Sequence, residues 1–503
     1  MPFRSTEFRL TDYSHYCFYI RLFGTEKSSL GRQETPILPR IIFLKKIWFT
    51  IGLYFLVIGN LYAATYYVSP AGNDSNSGVT PNTPWQTIAK VNGATYNSGD
   101  SVLFQGGQTF TGNLQFTVRA TSVEPFTIGS YETGHAVVNA GAGTGLSAYN
   151  CSGFVVQHID FTGSGVGTNT KNGIEFYADL SGNVTLDYIR INDVQVSGFG
   201  QEGISIGSWN NLTGYTDVLV ANAMVHGNRD GMQVYAQTRG ANRNVSVNCC
   251  QFYNNPGIAG LSQASGSGVV FGEVNGGTIE YCRSYNNGAS NTSSTGPAGI
   301  WCYDSSSILI QYNESYGNRT AGGDGDGFDL DGGTSNSYLQ HNYSHENQGG
   351  GYCLFEYSGA AAHTGNTVRY NISENDSSGV QIWGANAASL VSSDNIYGNI
   401  VSTGRGPAIY FVNSNCNSIA FDQNIIVTSS GKPLIAFPGA SGVSFKDDEY
   451  WTNGAAFTIL WGGKTYSSLS SWQAVTRQDQ NAQSSNPSPF AGSPIFCWGS
   501  SNH

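Results

Sequence analysis

The sequence is poor in charge and poorer still in basic residues. Only 11% of its 503 residues are charged, and 23 Lys and Arg stand against 34 Asp and Glu, which gives a formal net charge of −11. This balance excludes the basic surface that binding to nucleic-acid phosphates requires. Long runs of Ala, Glu, Lys and Leu are absent, which excludes a coiled coil, and an aromatic content of 13% excludes a disordered chain. The 65 glycines, with abundant Ser, Thr and Asn, favour strands and tight turns over helices.

Long apolar runs are also scarce, and the one that exists lies near the N-terminus. It extends from Ile47 to Leu61, follows Lys45 and Lys46, and ends close to Ala63 and Ala64. A basic start, an apolar centre and a small-residue end are the order of a secretory signal peptide. A membrane anchor is the alternative, but a spanning helix needs about 20 apolar residues. We therefore interpret residues 1–64 as a cleaved leader and expect a secreted, periplasmic or cell-surface protein without a stable membrane span.

Within this leader, residues 1–43 have no hydrophobic periodicity. Leu44 stands directly before the two lysines, so we expect translation to begin there through an alternative start codon, which leaves residues 1–43 untranslated. Removal of residues 1–64 leaves 15 Lys and Arg against 30 Asp and Glu, a net charge of −15. Eight cysteines remain, widely spread in a chain large enough not to need disulfides, and we expect them to be buried thiols rather than disulfides.

From about residue 150 the sequence repeats with a variable period near 30. One column is a strand of the form Gly-apolar-x-apolar that starts at Gly173, Gly203, Gly231, Gly268, Gly299, Gly327, Gly351 and Gly379. A second column is Asn228, Asn255, Asn287, Asn318, Asn347 and Asn375, and a third is Cys250, Cys282, Asn313, Asn342, Asn371 and Asn399. Three columns that share one drifting period are typical of a solenoid. The Asn columns are expected to be hydrogen-bonded ladders with a structural role.

Each repeat holds two or three short strands separated by Gly, Asn or Ser turns. These segments are too short for a crossover helix, so we predict an all-β fold, a single-stranded right-handed parallel β-helix with a cap at each end. Residues 65–150 are assigned to the N-terminal cap and first coils, 151–435 to the β-helix, and 436–503 to the C-terminal coil and cap. Helical spacing is convincing only from Tyr466 to Arg477, in a tail expected to plug the last coil. We expect a monomer.

The outward positions of the Gly-apolar-x-apolar strand do not look like an ordinary solvent face. Aromatic rings with neighbouring amides and carboxylates are suited to a carbohydrate groove, in which rings stack on sugars and polar groups bind hydroxyls. The predicted substrate-binding residues are Trp301, Tyr303, Gln381, Trp383, Tyr235, Gln233 and Asp230. A long, shallow groove suits a polysaccharide. The alternative is that these side chains pack under long turns.

The densest group of charges is the segment from Gly323 to Gly333. It contains Asp324, Asp326, Asp329 and Asp331, and carboxylates at this density repel one another unless they bind a cation or hold a proton. Asp329 and Asp331 project from one face of a strand about 6 to 7 Å apart at the backbone, a spacing that suits the acid and base of a glycosidase.

The same segment has two other interpretations. Asp324, Asp326 and Asp329 could instead bind Ca²⁺, which prefers hard oxygen ligands. The segment could also be a turn with only a structural role. Arg319 and His345, one strand or one coil away, are further catalytic candidates, together with Asp326.

The start of the predicted mature chain resembles a known group of proteins. Thr65-Tyr-Tyr-Val-Ser-Pro-Ala-Gly-Asn-Asp, followed by Pro84-Trp-Gln-Thr-Ile-Ala-Lys90, is similar to the opening of secreted β-helix proteins of the pectate-lyase-like superfamily. That superfamily includes the calcium-dependent pectate lyases of polysaccharide lyase family nine and several β-helix glycosidases. The resemblance implies the β-helix fold and activity on carbohydrate, and it is weak evidence for a particular reaction.

The segment 324–356 also resembles the active-site coils of the family-nine lyases, but it departs from them at two places. Asp331 stands where the basic lysine is expected, and Gly349-Gly-Gly-Tyr352 lacks the Asp pair that supplies calcium ligands. A lysine-based lyase mechanism therefore cannot be transferred. We predict a polysaccharide lyase or glycoside hydrolase, with a non-catalytic glycan-binding β-helix as the alternative.

Overall fold

The computed structural model describes residues 63–484, which form a parallel β-solenoid of about 13 turns. In each turn the chain visits three sheets in the same order, here named A, B and C. Apart from the last strand of sheet C, which is antiparallel, every strand of these sheets pairs in parallel with the equivalent strand of the next coil. The predicted all-β, right-handed parallel β-helix is confirmed.

The strands of the three sheets have the following bounds. Sheet A contains Thr65–Val68, Ser101–Gln105, Phe126–Tyr131, Phe154–Gln157, Thr185–Asn192, Gly214–Ala221, Asn242–Asn248, Val274–Glu280, Ser306–Gln311, Tyr338–Gln340, Thr367–Arg369, Asn395–Tyr397, Ile419–Asp422 and Val443–Lys446. Sheet B contains Thr109–Thr111, Ala136–Gly141, Ile159–Gly163, Gln195–Ser197, Met224–His226, Gln251–Tyr253, Arg283–Tyr285, Glu314–Tyr316, Tyr343–His345, Ile372–Glu374, Ile400–Thr403, Ile425–Thr428 and Glu449–Trp451. Sheet C contains Leu114–Phe116, Leu146–Tyr149, Ile174–Ala178, Glu202–Ser208, Asp230–Tyr235, Val269–Gly272, Ala298–Tyr303, Asp326–Leu330, Gly350–Glu356, Ser378–Gly384, Ile409–Phe411, Ile435–Phe437, Ile459–Trp461 and Lys464–Tyr466. A small extra sheet pairs Val391–Ser392 with Cys416–Asn417, and the two helices are Ile88–Asn92 and Leu469–Thr476.

The glycine column marks the start of the sheet C strands, where the backbone passes close to side chains of sheet B. A Cβ atom on Gly327 would lie 2.2 Å from Oγ of Ser344, and one on Gly299 would lie 2.0 Å from Oγ of Ser315. A side chain does not fit at these positions, so the repeated glycine is a packing requirement. The apolar residues that follow point inward and form the core of the solenoid.

The asparagine columns form buried ladders. In the second column each backbone N–H donates to the side-chain oxygen of the equivalent residue one coil later, from Asn228 to Asn347, over 3.0 to 3.1 Å. The prediction of Asn375 as the next member is wrong by one position, because the backbone N–H of Asn347 donates to Asp376 over 2.9 Å and Asn375 is exposed. Asn375 instead occupies a left-handed turn with φ of 57°.

The third column is confirmed and runs further than predicted. From Cys282 onward the backbone N–H groups donate to Asn313, Asn342, Asn371, Asn399, Asn424 and finally Asp448. Cys250 and Cys282 stack in the same column, with the Cys250 N–H 3.5 Å from Sγ of Cys282. All seven cysteines within residues 63–484 are free thiols, six of them buried, as expected.

The last coil is covered by the helix Leu469–Thr476, which confirms the predicted helical tail. Trp472 is fully buried, and its ring packs edge-on against Phe445, Tyr450 and Trp461 at centroid distances of 5.7 to 6.2 Å. The predicted leader lies outside the described residues except for Ala63 and Ala64. Within the described part of the chain, neither helix has the length and apolar character needed to cross a membrane.

Candidate active site

The outward face of sheet C brings three of the predicted groove residues, Gln233, Trp301 and Gln381, into one column. The parallel register pairs the following residues in succession: Glu175, Ser205, Gln233, Val270, Trp301, Asp329, Cys353, Gln381 and Tyr410. Each is a single coil from the next. The alternation read from the sequence therefore predicted these positions correctly.

A cleft of about 400 Å³ opens over the middle of this column. Its floor contains Asp326, Asp329 and Asp331, and its rim contains Asp324. The turn before strand Ala298–Tyr303 forms one wall, through the residues Ser294, Thr295 and Gly296, and Trp301, Phe355, Tyr357, Gln381, Trp383 and Val412 line the remainder. All four carboxylates of the Gly323 to Gly333 segment thus meet aromatic rings in one cleft.

Asp326 is buried beneath the cleft at the first position of its strand. One carboxyl oxygen accepts a hydrogen bond from the backbone N–H of Gly350 over 2.5 Å, and the other has no hydrogen-bond partner among residues 63–484. Burial and the nearby charge of Asp324 raise the pKa of Asp326 well above its usual range. Asp326 therefore holds its proton more strongly than an exposed carboxyl does.

Asp329 lies three residues further along the strand and is only 6% exposed. Its Oδ1 is buried and lacks a partner within the described chain. Burial and the charges of Asp331, Asp326 and Asp324 raise its pKa well above the usual range. A carboxyl in this state can donate a proton or a hydrogen bond, but it is a poor anion.

Asp331 and Asp324 are the two carboxylates with access to the cleft, because Asp331 is half-buried and Asp324 is exposed. Asp331 accepts a hydrogen bond from the backbone N–H of Gly332 over 2.7 Å, and Asp324 accepts one from Gly296 over 2.7 Å. Burial, reinforced by the charge of Asp324, raises the pKa of Asp331 to about 6. Burial also raises the pKa of Asp324 from its usual value. The charge of Asp324 therefore acts on Asp331 across the cleft.

Aromatic and amide side chains hold fixed positions around these carboxylates. The Trp301 indole N–H donates to Oγ of Ser267 over 3.0 Å, and Trp383 packs edge-on against Phe355 at a centroid distance of 6.3 Å. The Gln381 oxygen accepts a hydrogen bond from the Ser378 hydroxyl over 3.1 Å. These contacts leave ring surface and one amide group facing the cleft, which suits contact with a sugar.

A second depression of about 370 Å³ adjoins the cleft on the other side of Trp301. Gln233, Asp230 and Tyr303 line it, as predicted for a continuous groove. Asp230 is already engaged with the protein, because it accepts hydrogen bonds from the backbone of Gly266 and Ser267 over 2.6 and 2.8 Å and pairs with Arg229 at 2.7 Å.

Tyr235 and Tyr303 occupy the next outward position of their strands. Each ring covers a glycine of the preceding coil, Gly207 for Tyr235 and Gly272 for Tyr303. Burial raises the pKa of Tyr235 to about 12, so its hydroxyl remains protonated. Tyr235 lies outside the linings of both depressions.

Two predicted catalytic residues lie away from the carboxylate cleft. His345 is on sheet B, where it stacks on Tyr316 at 4.7 Å and lies 3.4 Å from Glu314. Arg319 lines a separate depression with Gln348 and Arg405. Both residues are close to the carboxylates in sequence, but a turn of the chain separates sheets B and C. Residues on either side of that turn therefore lie on different faces of the solenoid.

Other cleft residues were not predicted from sequence. Phe355 lies at the outward strand position that pairs with Trp383, but nothing in the sequence assigned it a role. Tyr357, Thr295 and Gly296 come from turns. Tyr357 is held by a 2.5 Å hydrogen bond from its hydroxyl to Asp304. Turn residues have no fixed inward or outward alternation, so only an unusually long turn, such as residues 286–297, signals that a wall could form there.

Ligand atoms for a metal ion converge elsewhere. In the part of the chain that the structure describes, three candidate ligand atoms come within 4.8 Å of one another only at His135, His158 and Asp193. The predicted calcium ligands Asp324, Asp326 and Asp329 line the same cleft, and calcium binding by them stays a prediction.

The fold and this groove define the class of protein: a right-handed parallel β-helix protein with a cleft on one sheet. Residues 214–396 match the family described as right handed beta helix region. The chain is 27% identical to a lacto-N-biosidase from Bifidobacterium longum subsp. longum, over 80% of this chain and 30% of that protein. The chain therefore spans less than a third of the length of this relative.

A solved structure has the same fold. A lacto-N-biosidase of family GH136 from Eubacterium ramulus superposes with a TM-score of 0.51 and 17% identity, covering 71% of this chain and 68% of that protein. At this identity the likeness shows a common fold. The pectate lyase Pel9A is a more distant match, with 17% identity and a TM-score of 0.41, covering 67% and 76% of the two chains.

Proposed function

We propose that this protein is a glycoside hydrolase that cleaves a glycan in the sheet C cleft. The observation that carries the proposal is the division of the cleft carboxylates into an acid, Asp331, and an accessible anion, Asp324. Glycosidases need this combination, because one carboxyl protonates the leaving oxygen while the other acts as base or nucleophile.

Asp331 is the proposed general acid. Its pKa of about 6 keeps the proton on the carboxyl in mildly acidic solution while leaving the conjugate base stable enough to form. Its partial exposure lets it touch the glycosidic oxygen. Its backbone hydrogen bond from Gly332 orients the carboxyl.

Asp324 is the proposed anion, because it is the exposed member of the group and its pKa is not raised as far above the usual range as those of Asp326 and Asp329. Asp329 was predicted from sequence as the partner of Asp331. Its burial and raised pKa support a different role, as a hydrogen-bond donor in the floor of the cleft.

Hydrolysis is favoured over elimination by the charge of the cleft. Among the described residues, those that line the cleft include four Asp and no Lys or Arg. A polyuronate would bring further carboxylates into this negative field, which is unfavourable unless a cation screens them. A neutral glycan meets no such penalty. We therefore propose a neutral substrate.

The lacto-N-biosidase relatives indicate which glycan to test first. Both are named for removal of a lacto-N-biose unit, a neutral disaccharide, and rings such as Trp301 and Trp383 suit the faces of such sugars. We propose a lacto-N-bioside or a related neutral oligosaccharide as substrate, and export of the protein to reach it.

The test uses the full chain with an aryl β-lacto-N-bioside, and measures released phenol and reducing sugar. Asp331→Asn is expected to lower kcat/KM by roughly 10² to 10⁴-fold with a poor leaving group, and far less with an acidic phenol that leaves without protonation. Asp324→Ala is expected to be inactive with both substrates, and azide in its place should restore turnover. Asp217→Asn, at an exposed carboxylate paired with Arg190, is the matched control.

Three outcomes would contradict the proposal. Full activity in Asp331→Asn or Asp324→Ala would remove these residues from the mechanism. Unsaturated products from a uronate polymer, lost with EDTA, would establish a calcium-dependent lyase. Tight glycan binding with no cleavage of neutral or uronate polymers would establish a binding protein.

A further inference from the structure

A cluster of histidines and aspartates lies at the N-terminal end of the solenoid, far along the sheets from the carboxylate cleft. His158 and Asp193 occupy the same turn position, between sheets A and B, in successive coils, with φ of 52° and 53°. His135 comes from the coil before, directly before strand Ala136–Gly141. Three consecutive coils therefore each contribute one side chain.

The ligand atoms of these side chains converge. Nε2 of His135 lies 3.2 Å from Oδ2 of Asp193, and Nδ1 of His158 lies 2.5 Å from the same oxygen. Ligands at 2.0 to 2.1 Å from a tetrahedral zinc ion lie about 3.3 Å apart. The distance from His135 Nε2 to Asp193 Oδ2 already matches this value. A small rotation of the exposed His158 ring would lengthen the distance from its Nδ1 to the same oxygen.

A second layer of hydrogen bonds orients one of the ligands. Nδ1 of His135 lies 2.9 Å from Oδ1 of Asp160, and that oxygen also accepts the backbone N–H of Gln195 over 2.9 Å. A carboxylate on the far nitrogen of a histidine fixes the tautomer and raises the basicity of a metal ligand. Asp160 leaves Nε2 of His135 free to bind a cation.

We propose that His135, His158 and Asp193 form a binding site for Zn²⁺ or a similar divalent transition metal, with Asp160 as the supporting carboxylate. Two imidazole nitrogens and one carboxylate select such ions over Ca²⁺ and Mg²⁺, which prefer oxygen. Side-chain exposures of 30% for His135, 53% for His158 and 42% for Asp193 give an ion access and leave room for a water molecule as fourth ligand.

The position of the site indicates its role. It lies on the turns between sheets A and B, whereas the cleft lies on sheet C, so the metal does not contact the proposed substrate. Bound there, it would link three successive coils in the N-terminal part of the solenoid. Ligands that bind only the folded state raise its stability. The expected role of the metal is to stabilise these three coils against unfolding.

The experiment titrates metal-free full chain with Zn²⁺ against a chromophoric chelator, and records thermal unfolding with and without Zn²⁺. We expect one strong site, a higher Tm with Zn²⁺, and the visible absorption of tetrahedral Co²⁺ when cobalt replaces zinc. His158→Ala should abolish all three effects. Asp160→Asn should weaken binding by roughly 10 to 100-fold without removing the site.

Two matched controls occupy equivalent turns in later coils. His341→Ala removes a histidine with φ of 55° that stacks between Tyr312 and Tyr370, and Cys249→Ser removes the exposed thiol. Both should leave Zn²⁺ binding unchanged. The proposal is overturned if His158→Ala binds Zn²⁺ as tightly as the parent, if either control abolishes binding, or if the parent gives no strong site. In the last case the three side chains form a hydrogen-bonded cluster only.

Discussion

The side chains of His363 and Asp394 lie 2.8 Å apart and are both completely buried. Asp394 also accepts the backbone N–H of Asn366 over 2.7 Å, and the backbone N–H of His363 donates to Glu356 over 2.9 Å. Glu356 in turn accepts the N–H of Gly333, next to the proposed acid Asp331. These hydrogen bonds connect the buried His363–Asp394 pair to the segment that carries Asp331.

Removal of one partner of this pair is expected to destabilise the protein strongly. Asp394→Ala leaves the imidazole of His363 buried without its carboxylate, which costs about 3 to 5 kcal/mol of unfolding free energy. Asp394→Asn keeps an acceptor for the backbone N–H of Asn366, so its free energy of unfolding should fall less. Urea denaturation of the full-length variants measures both. A loss below about 1 kcal/mol in Asp394→Ala would show that the pair is not a stabilising contact.

The pKa of Asp331 predicts the pH dependence of activity. Burial raises this pKa to about 6, and a general acid is active only when protonated, so kcat/KM should fall about tenfold per pH unit above that pH. Initial rates between pH 4 and 8 on a substrate that does not titrate test this. The descending limb should disappear in Asp331→Asn. A parent enzyme with equal rates at pH 5 and pH 8 would contradict the assignment.

Stability should also fall as pH rises. Burial raises the pKa of Asp331 and Asp376 to about 6, of Glu273 to about 7 and of Asp448 to about 8. Each folded pKa exceeds the unfolded value, 3.8 for Asp or 4.5 for Glu, so its stabilisation is complete below the unfolded pKa and is lost as pH rises through the folded one. Tm should therefore decrease from about pH 4 to pH 8. Asp448→Asn should flatten the upper part of this curve, and a parent Tm higher at pH 8 than at pH 5 would contradict it.

The strands of sheet C could be predicted from sequence because one face is packed against the core. Gly327, the inward Phe328 and the outward Asp329 follow an alternation that burial enforces, and the same pattern recurs in the eight strands of the glycine column. Turns follow no such rule. Asn375 was placed in the ladder in place of Asp376, since both can accept a hydrogen bond and only the backbone path decides between them. The sequence also did not show that Arg319 and His345 lie away from the cleft, because the path of the turns decides which face of the solenoid they occupy.

The buried ladder gives a prediction that separates Asn318 from the mistaken member Asn375. Oδ1 of Asn318 accepts both the backbone N–H and the side-chain N–H of Asn287, each over 3.1 Å. Asn318→Ala leaves the backbone N–H of Asn287 buried and unpaired, at about 1 to 3 kcal/mol, whereas the side-chain amide of Asn287 still donates to Phe252 and Ser284. Asn375→Gly suits the left-handed turn and is the control, with little expected change. Chemical denaturation compares the two, and equal stability of both variants would contradict the ladder's role.

Trp383 and Trp301 line the cleft on different coils, so each should contribute to glycan binding without touching the reacting carboxylates. Trp383→Ala removes a large ring surface for stacking and is expected to raise KM by roughly 10-fold with a small change in kcat, because stacking stabilises substrate and transition state alike. Trp209, 49% exposed and outside the cleft, supplies the control variant Trp209→Ala. Steady-state kinetics on an oligosaccharide measures both parameters. If Trp383→Ala lowered kcat alone, the ring would act on the chemical step, and if neither parameter changed, the glycan would bind elsewhere on the solenoid.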